Sequence, residues 1–416
     1  MSGPKVVRIV SREERIATCS GLLGRLESAL QDFERAARRA GTLTEADVQN
    51  IHARHLQLKQ ALAADRFDEV ERAVPTEIEF VQREQQRQQA DAIRRETLRR
   101  RVKKRTQEIE AQMRVIVKTP LHSGATEQQL ELAKKLKESE DDRSFERWLA
   151  DHPSPSEMET ARIERQLAEL SFLLDAAVVE GLESRLQTIE REPSAPQRAM
   201  RLDTLTIELA TVVKEARDRE AAKSRLRALA EELRAIGSAG AVERAASVLA
   251  AIDGDLQVLT ALEAGTVNAL AAERESLSAR ARRNAILKGL ATLGYQVNEG
   301  LETAWVNSGR VVVKRPTQPG YGVELGGKSE NGRLQVRVVA IRGAGEATDG
   351  TRDKDAERMW CSDFSKLQKQ IAEQGGGLVI ERALGVGETP LKVVDGAEMS
   401  AAADHAEPRE RVLPRP

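Results

Sequence analysis

Thr76–Lys118, TEIEFVQREQQRQQADAIRRETLRRRVKKRTQEIEAQMRVIVK, decides the fold, because it reads as one unbroken and heavily charged helix. Pro75 stands just before it, where a first-turn proline is tolerated, and Pro120 follows its end. At about 1.5 Å per residue such a helix spans roughly 65 Å, longer than a compact domain needs. Its apolar positions are Ile78, Val81, Ile93, Leu98, Val102, Ile109 and Ile116. That stripe is too narrow for a core helix and suits a coiled-coil arm.

Working outward, Lys5–Val10 (KVVRIV) is a short β-prone run with no strand-like neighbour for nearly three hundred residues. A lone strand cannot satisfy its backbone groups, so it must pair with a distant C-terminal sheet, pair with another chain or stay disordered, and the first is the expectation. Ser11 and Glu14 carry a capping-box signature for a helix over 12–39 that Gly41 ends. Thr44 and Asp47 open a second helix to about Ala64, and a short third helix covers Phe67–Val74 before Pro75. Beyond Pro120, helices are expected near Glu127–Glu138 and Arg143–Ala150, then a linker, His152–Ser156. Ile163, Leu167, Leu170, Leu174 and Ala177 predict one helix ending before Pro193. Leu202, Leu205, Leu209, Val212, Ala216, Leu226, Ala230 and Leu233 predict another, whose seam Arg219 and Lys223 interrupt. Breaks at Gly237–Gly240 and Gly254 precede a helix to about Arg283.

The pattern changes near Asn284. A helix over Ile286–Leu293 is followed by two expected hairpins, Trp305-Val306 with Val311–Lys314, and Tyr321–Leu325 with Leu334–Ile341. The loop Gly343–Gly350, a helix over 353–374 and a strand at Leu378–Glu381 complete the series. The fold class is therefore mainly α: long helices with antiparallel coiled-coil segments, plus a small C-terminal α+β domain with an antiparallel sheet. The expected division is 1–75 (strand and helical hairpin), 76–283 (long helices), 284–395 (the α+β domain) and 396–416 (a disordered tail).

Composition agrees. Aromatic residues make up 3% and charged residues 31%, a poor recipe for one large globular core and a good one for long helices. A net charge of −1 excludes a uniformly basic or acidic protein. Cys19 and Cys361 are far apart without metal or redox spacing, which fits a reducing cytoplasm. The first residues lack the apolar region of a signal peptide, and no apolar run reaches membrane-spanning length.

Five patterns could carry chemistry. Gly322-Val-Glu-Leu-Gly-Gly327-Lys328-Ser329 matches the phosphate-loop string. However, an alternating strand follows it rather than the helix whose N-terminus such a loop needs. Arg94, Arg95, Arg99, Arg100, Arg101, Lys103, Lys104 and Arg105 form a basic run that could track a nucleic-acid backbone. It could equally face an acidic helix such as Glu138–Asp142, and no aromatic residue interleaves it for base stacking. His52 and His55 share a helix face, but nothing nearby in sequence completes a metal shell. Trp360 and Phe364 lie on one helix face with Cys361 and Asp363 turned elsewhere; with no histidine in this domain, thiol hydrolase chemistry lacks a base. A nuclease core would need carboxylates and a lysine on the central strands, where Glu324 is followed by Gln335 and Arg337.

The expectation is thus a non-enzymatic, cytoplasmic coiled-coil scaffold or adaptor that recognises a protein partner through its C-terminal α+β domain, with no cofactor, metal, catalytic residue or membrane contact. Loop Gly343–Gly350 and the strand edges are its candidate contacts. One alternative is a nucleic-acid-associated coiled-coil protein using 94–105. Another is an ATPase or nuclease centred on 322–337. Helical seams of this kind are compatible with a homo-oligomer.

Overall fold

The computed structural model describes residues 3–118, 155–298, 300–327, 332–342 and 350–395. Strand β1 (Lys5–Val10) leads into α1 (Arg12–Arg39), α2 (Glu45–Ala63) and α3 (Phe67–Lys118). The helices α4 (Pro155–Leu170), α5 (Ala176–Glu190), α6 (Ala195–Ile236), α7 (Ala239–Ala250) and α8 (Leu256–Thr292) follow. The C-terminal part contains α9 (Leu301–Ser308), β2 (Arg310–Lys314), β3 (Tyr321–Gly326), β4 (Arg333–Arg342), α10 (Gly350–Glu373), β5 (Gly377–Ala383) and β6 (Lys392–Asp395). The fold is mainly α, with a small, largely antiparallel sheet.

Ser11 caps α1 as expected, its Oγ accepting the Glu14 N–H at 3.1 Å. The other half of the capping box does not form, because the Glu14 carboxylate accepts from Arg282 Nε of α8 at 2.9 Å. Along α1, Cys19, Leu23, Leu26, Leu30 and Phe33 recur by four and three, and all are buried against Ala61 of α2 and Phe67, Val70, Val74 and Val81 of α3. This burial corrects the expected break at Pro75. The proline removes one backbone donor, but Val74 and Val81 pack into the same core on either side of it, and α3 continues through.

Two helices each serve two cores. The first half of α6 buries Leu202, Leu205 and Leu209 with Ile163 and Leu167 of α4 and Val179 and Leu186 of α5. Its second half buries Leu226, Ala230 and Leu233 with Ala241, Ala245 and Val248 of α7 and Leu259 of α8. α8 then runs without interruption past Asn284, so Ile286, Leu287 and Leu290 at its far end join the core beneath the sheet. The expected helix over Ile163–Pro193 is instead two, α4 and α5, separated by Ser171–Asp175. Arg219 and Lys223 do not dangle in the α6 seam: Arg219 donates to the carbonyls of Asp253 (2.8 Å) and Gly254 (3.1 Å), and Lys223 meets Asp253 at 2.7 Å. Both therefore hold the α7–α8 turn. Where α1 crosses α6, Gly24 permits close contact, since a Cβ there would stand 3.1 Å from the Glu231 carbonyl oxygen.

The sheet order is β2-β3-β4-β1-β5, with β6 parallel to the far end of β4. β1, from the opposite end of the chain, lies between β4 and β5 and pairs antiparallel with both, which is the favoured of the three outcomes open to it. The hairpin β3–β4 has the expected partners, Tyr321 opposite Ala340 and Leu325 opposite Val336. The first expected hairpin does not exist. Leu301–Ser308 is helical, and Gly309, at φ 70° in the left-handed region, closes it by donating its N–H to the Trp305 carbonyl at 2.9 Å. One face of the sheet, including Val7, Ile9, Val313, Leu325 and Val336, packs on α10 through Trp360, Phe364 and Leu367.

The expected helices near Glu127–Glu138 and Arg143–Ala150, the loop over 343–349 and the tail over 396–416 lie outside the described residues. So do Glu138–Asp142, Lys328, Ser329, His122, His152 and His405.

Candidate functional site: the open face of the sheet

Because side chains alternate along a strand, the residues between the core positions point away from α10. In β1 these are Val6, Arg8 and Val10, and the register extends the pattern across the sheet. Arg8 lies opposite Arg333 and Val379; Val6 lies opposite Gln335 and Arg382. Glu324 sits between Val312 and Arg337, and Gly322 between Lys314 and Val339, which continues to Lys392. Arg310 faces Gly326. Among the described residues no helix covers this side: the side chains of Arg8 and Arg333 are 57% and 56% exposed, and Val379 is 61% exposed.

The face is dominated by cations. Its carboxylates are Glu324 and Glu381, and both are engaged. Glu381 lies between Arg8 (3.2 Å) and Arg333 (2.9 Å), and Glu324 between Arg337 and Lys392, the latter at 2.7 Å. Burial pushes the Glu324 carboxyl up, but hydrogen bonds from Arg337 and Lys392, with their charges, outweigh it and hold the group below the ordinary carboxylate range. Arg310, Lys314 and Arg382 have no carboxylate within ion-pair distance among the described residues. Gly322 and Gly326 flatten the surface at β3, and a Cβ at Gly322 would stand 2.8 Å from Val312 Cγ1. No aromatic side chain of the described residues lies on this face: Tyr321 points to the other side and donates to Asp353 of α10 at 2.8 Å. The sheet edge adds apolar surface, with Val379 and Ile380 of β5 61% and 40% exposed.

The basic run of α3 divides into two faces. Arg101 meets Glu164 of α4 at 2.8 Å, Lys104 meets Glu190 of α5 at 2.5 Å, and Arg100 reaches Glu183 of α5. Arg105 is half-buried beside them. Arg94, Arg95, Arg99 and Lys103 are exposed, and Arg99 has only a 3.9 Å contact with Glu96. About half of the run thus neutralises carboxylates of the same chain. The acidic surface that receives it is built from Glu164, Glu183 and Glu190, residues too scattered in sequence to be recognised as one patch.

The described part of the phosphate-loop string, Gly322–Gly327, falls on β3 and its end. Gly322 lies within β3, Gly327 follows it at φ 108°, and the Gly327 N–H donates to the Gly309 carbonyl at 3.2 Å. β4 follows, so the described residues supply no helix N-terminus there. His52 hydrogen-bonds Glu34 at 2.9 Å, while His55 is buried, and burial with the Lys59 charge pulls its pKa down. Among the described residues no three His, Cys, Asp or Glu side chains are grouped to hold a metal ion, and no helix is long and apolar enough to cross a membrane. On α10, Trp360 and Phe364 are buried together as expected, and Asp363 is also buried, accepting from Tyr295 at 3.1 Å and Arg315 at 2.5 Å. Comparison with protein-family models, with curated proteins and with solved structures finds no match to this chain.

Proposed function

We propose that this protein is a non-enzymatic helical scaffold or adaptor of the cytoplasm, and that its C-terminal α+β domain recognises an acidic surface of a protein partner. The observation that carries this reading is the open face of the sheet, where cations outnumber carboxylates and Arg310, Lys314 and Arg382 have no carboxylate in reach among the described residues. Charges spaced by strand register select a partner by charge pattern and speed its encounter. The helices supply distance and orientation. α6 and α8, each shared by two cores, would transmit the position of the head to the rest of the chain as rigid rods.

A protein partner is favoured over nucleic acid because the described residues place no aromatic platform on the sheet face and the α3 run spends much of its charge within the chain. The test is a pull-down with full-length protein beside an Arg8→Glu/Arg310→Glu/Arg382→Glu variant, each with and without nuclease. The expected result is a discrete protein that survives nuclease, is released by salt, and is absent from the variant. Retention of nucleic acid by both forms would overturn the reading in favour of the basic arm.

A further inference from the structure

Lys5 breaks the pattern of its own strand. Alternation in β1 puts Lys5, Val7 and Ile9 on the covered face, and Lys5 is only 2% exposed. A buried ammonium normally has a carboxylate partner. Lys5 has none within ion-pair distance among the described residues; its Nζ lies 3.1 Å from Cys361 Sγ of α10 and 5.1 Å from the centre of the Phe364 ring. Its charge is felt by Glu357, whose carboxyl burial pushes up against the opposing effects of the Gly387 N–H and the Lys5 charge. The position is well fixed. Lys5 is paired with Val336 on one side and Ala383 on the other, and Gly3 donates its N–H to the Leu384 carbonyl at 2.8 Å. Cys361 is half-buried, so a small oxidant can reach the sulfur while the amine stays covered.

We infer that Lys5 and Cys361 form an oxidative modification site, at which dioxygen joins Nζ to Sγ through a single oxygen atom. The Lys5 ammonium first gives one proton to solvent. The thiol S–H and one amine N–H then break, and S–O and O–N bonds form. One oxygen atom of dioxygen enters the bridge, and the other leaves as water with the two hydrogens. Sulfur and nitrogen each give up two electrons, and dioxygen takes up four. A thiol reductant reverses the link. The bridge staples the first strand of the chain to the helix that covers the sheet, so it reports oxidant on the fold of the head.

The test is peptide mass analysis of the folded full-length protein after exposure to air and again after dithiothreitol. The expected species joins the peptides of Lys5 and Cys361, weighs their sum plus one oxygen less two hydrogens, resists trypsin at Lys5 and disappears with reductant. Lys5→Arg, which keeps the charge, and Cys361→Ser should each abolish it. A Cys361 thiol that persists in air would overturn the inference. So would sulfinic or sulfonic acid at Cys361 with Lys5 still cleavable, or a disulfide to Cys19, which adds no oxygen.

Discussion

Replacing Ile9 by alanine tests the least local feature of the fold, the insertion of β1 into a sheet built from the other end of the chain. Ile9 is fully buried, lies opposite Leu378 of β5, and its N–H donates to the Gly332 carbonyl at 2.9 Å. The substitution removes about three methyl or methylene groups, worth roughly 0.8 kcal/mol each on burial, and leaves a cavity that close packing cannot fully collapse. The expected cost is about 3–4 kcal/mol, or a few-hundred-fold in the folding equilibrium of the sheet core. Trp305 and Trp360 are both 2% exposed within that core, so their fluorescence reports it directly. Trp148 lies outside the described residues and should be replaced by phenylalanine in all samples. In urea titration the tryptophan midpoint should fall by about 1–2 M. Arg8→Ala, one residue away on the open face and 57% exposed in its side chain, should cost less than about 1 kcal/mol. Equal effects of the two substitutions, or an unchanged midpoint for Ile9→Ala, would refute the placement of β1.

Three further outcomes are expected. Arg101→Ala leaves the 6%-exposed side chain of Glu164 with Lys104 at 3.8 Å and the Thr160 hydroxyl at 3.3 Å, and should cost about 1–3 kcal/mol by thermal unfolding, whereas Arg99→Ala, 84% exposed, should cost under about 0.5 kcal/mol. His55 has its pKa lowered in the fold, so the unfolded chain binds the extra proton first. Stability should therefore fall as pH drops through the unfolded value near 6.5 toward the lower folded value, and His55→Gln should flatten that part of the profile. Glu324 has its pKa lowered, so its contribution is full above the unfolded value of about 4.5 and disappears as pH falls through the folded one. Glu324→Gln should remove that acid limb, measured as denaturant midpoints across the pH range.

Where local chemistry and long periodicity agree, the sequence is a sufficient guide. The span of α1 between the Ser11 cap and Gly41, Gly237 after α6 and the alternation of β3 and β4 were all legible. So was the need for β1 to find a distant partner, since unpaired backbone groups are costly wherever the partner lies. Misreadings arose where a local signal has two meanings. Gly309 serves both turns and helix ends, and Trp305-Val306 is too short to show a period, so α9 reads as a strand. Pro75 ends a helix unless packing on both sides holds it. The junction at Ser171–Asp175 has no glycine or proline to announce it; Asp175 is its one local cue, ahead of α5. The continuity of α8 through Asn284 depends on two cores sharing one helix, and β6 is only Lys392–Asp395.

The open face itself was half legible. Alternating Arg and Gln in Leu334–Ile341 showed that one side of β4 is polar. The convergence of Arg8, Arg310 and Arg382 on that side depends on strand order, which brings together residues hundreds of positions apart. The Lys5–Cys361 contact is invisible in sequence for the same reason.

The most direct test of the functional account compares affinities for the captured partner among wild type, the sheet-face variant Arg8→Glu/Arg310→Glu/Arg382→Glu, and an arm variant, Arg95→Glu/Arg99→Glu/Lys103→Glu. With folding verified by circular dichroism, the account predicts at least about a tenfold loss for the sheet-face variant and little change for the arm variant. A loss confined to the arm variant would contradict it and transfer recognition to α3.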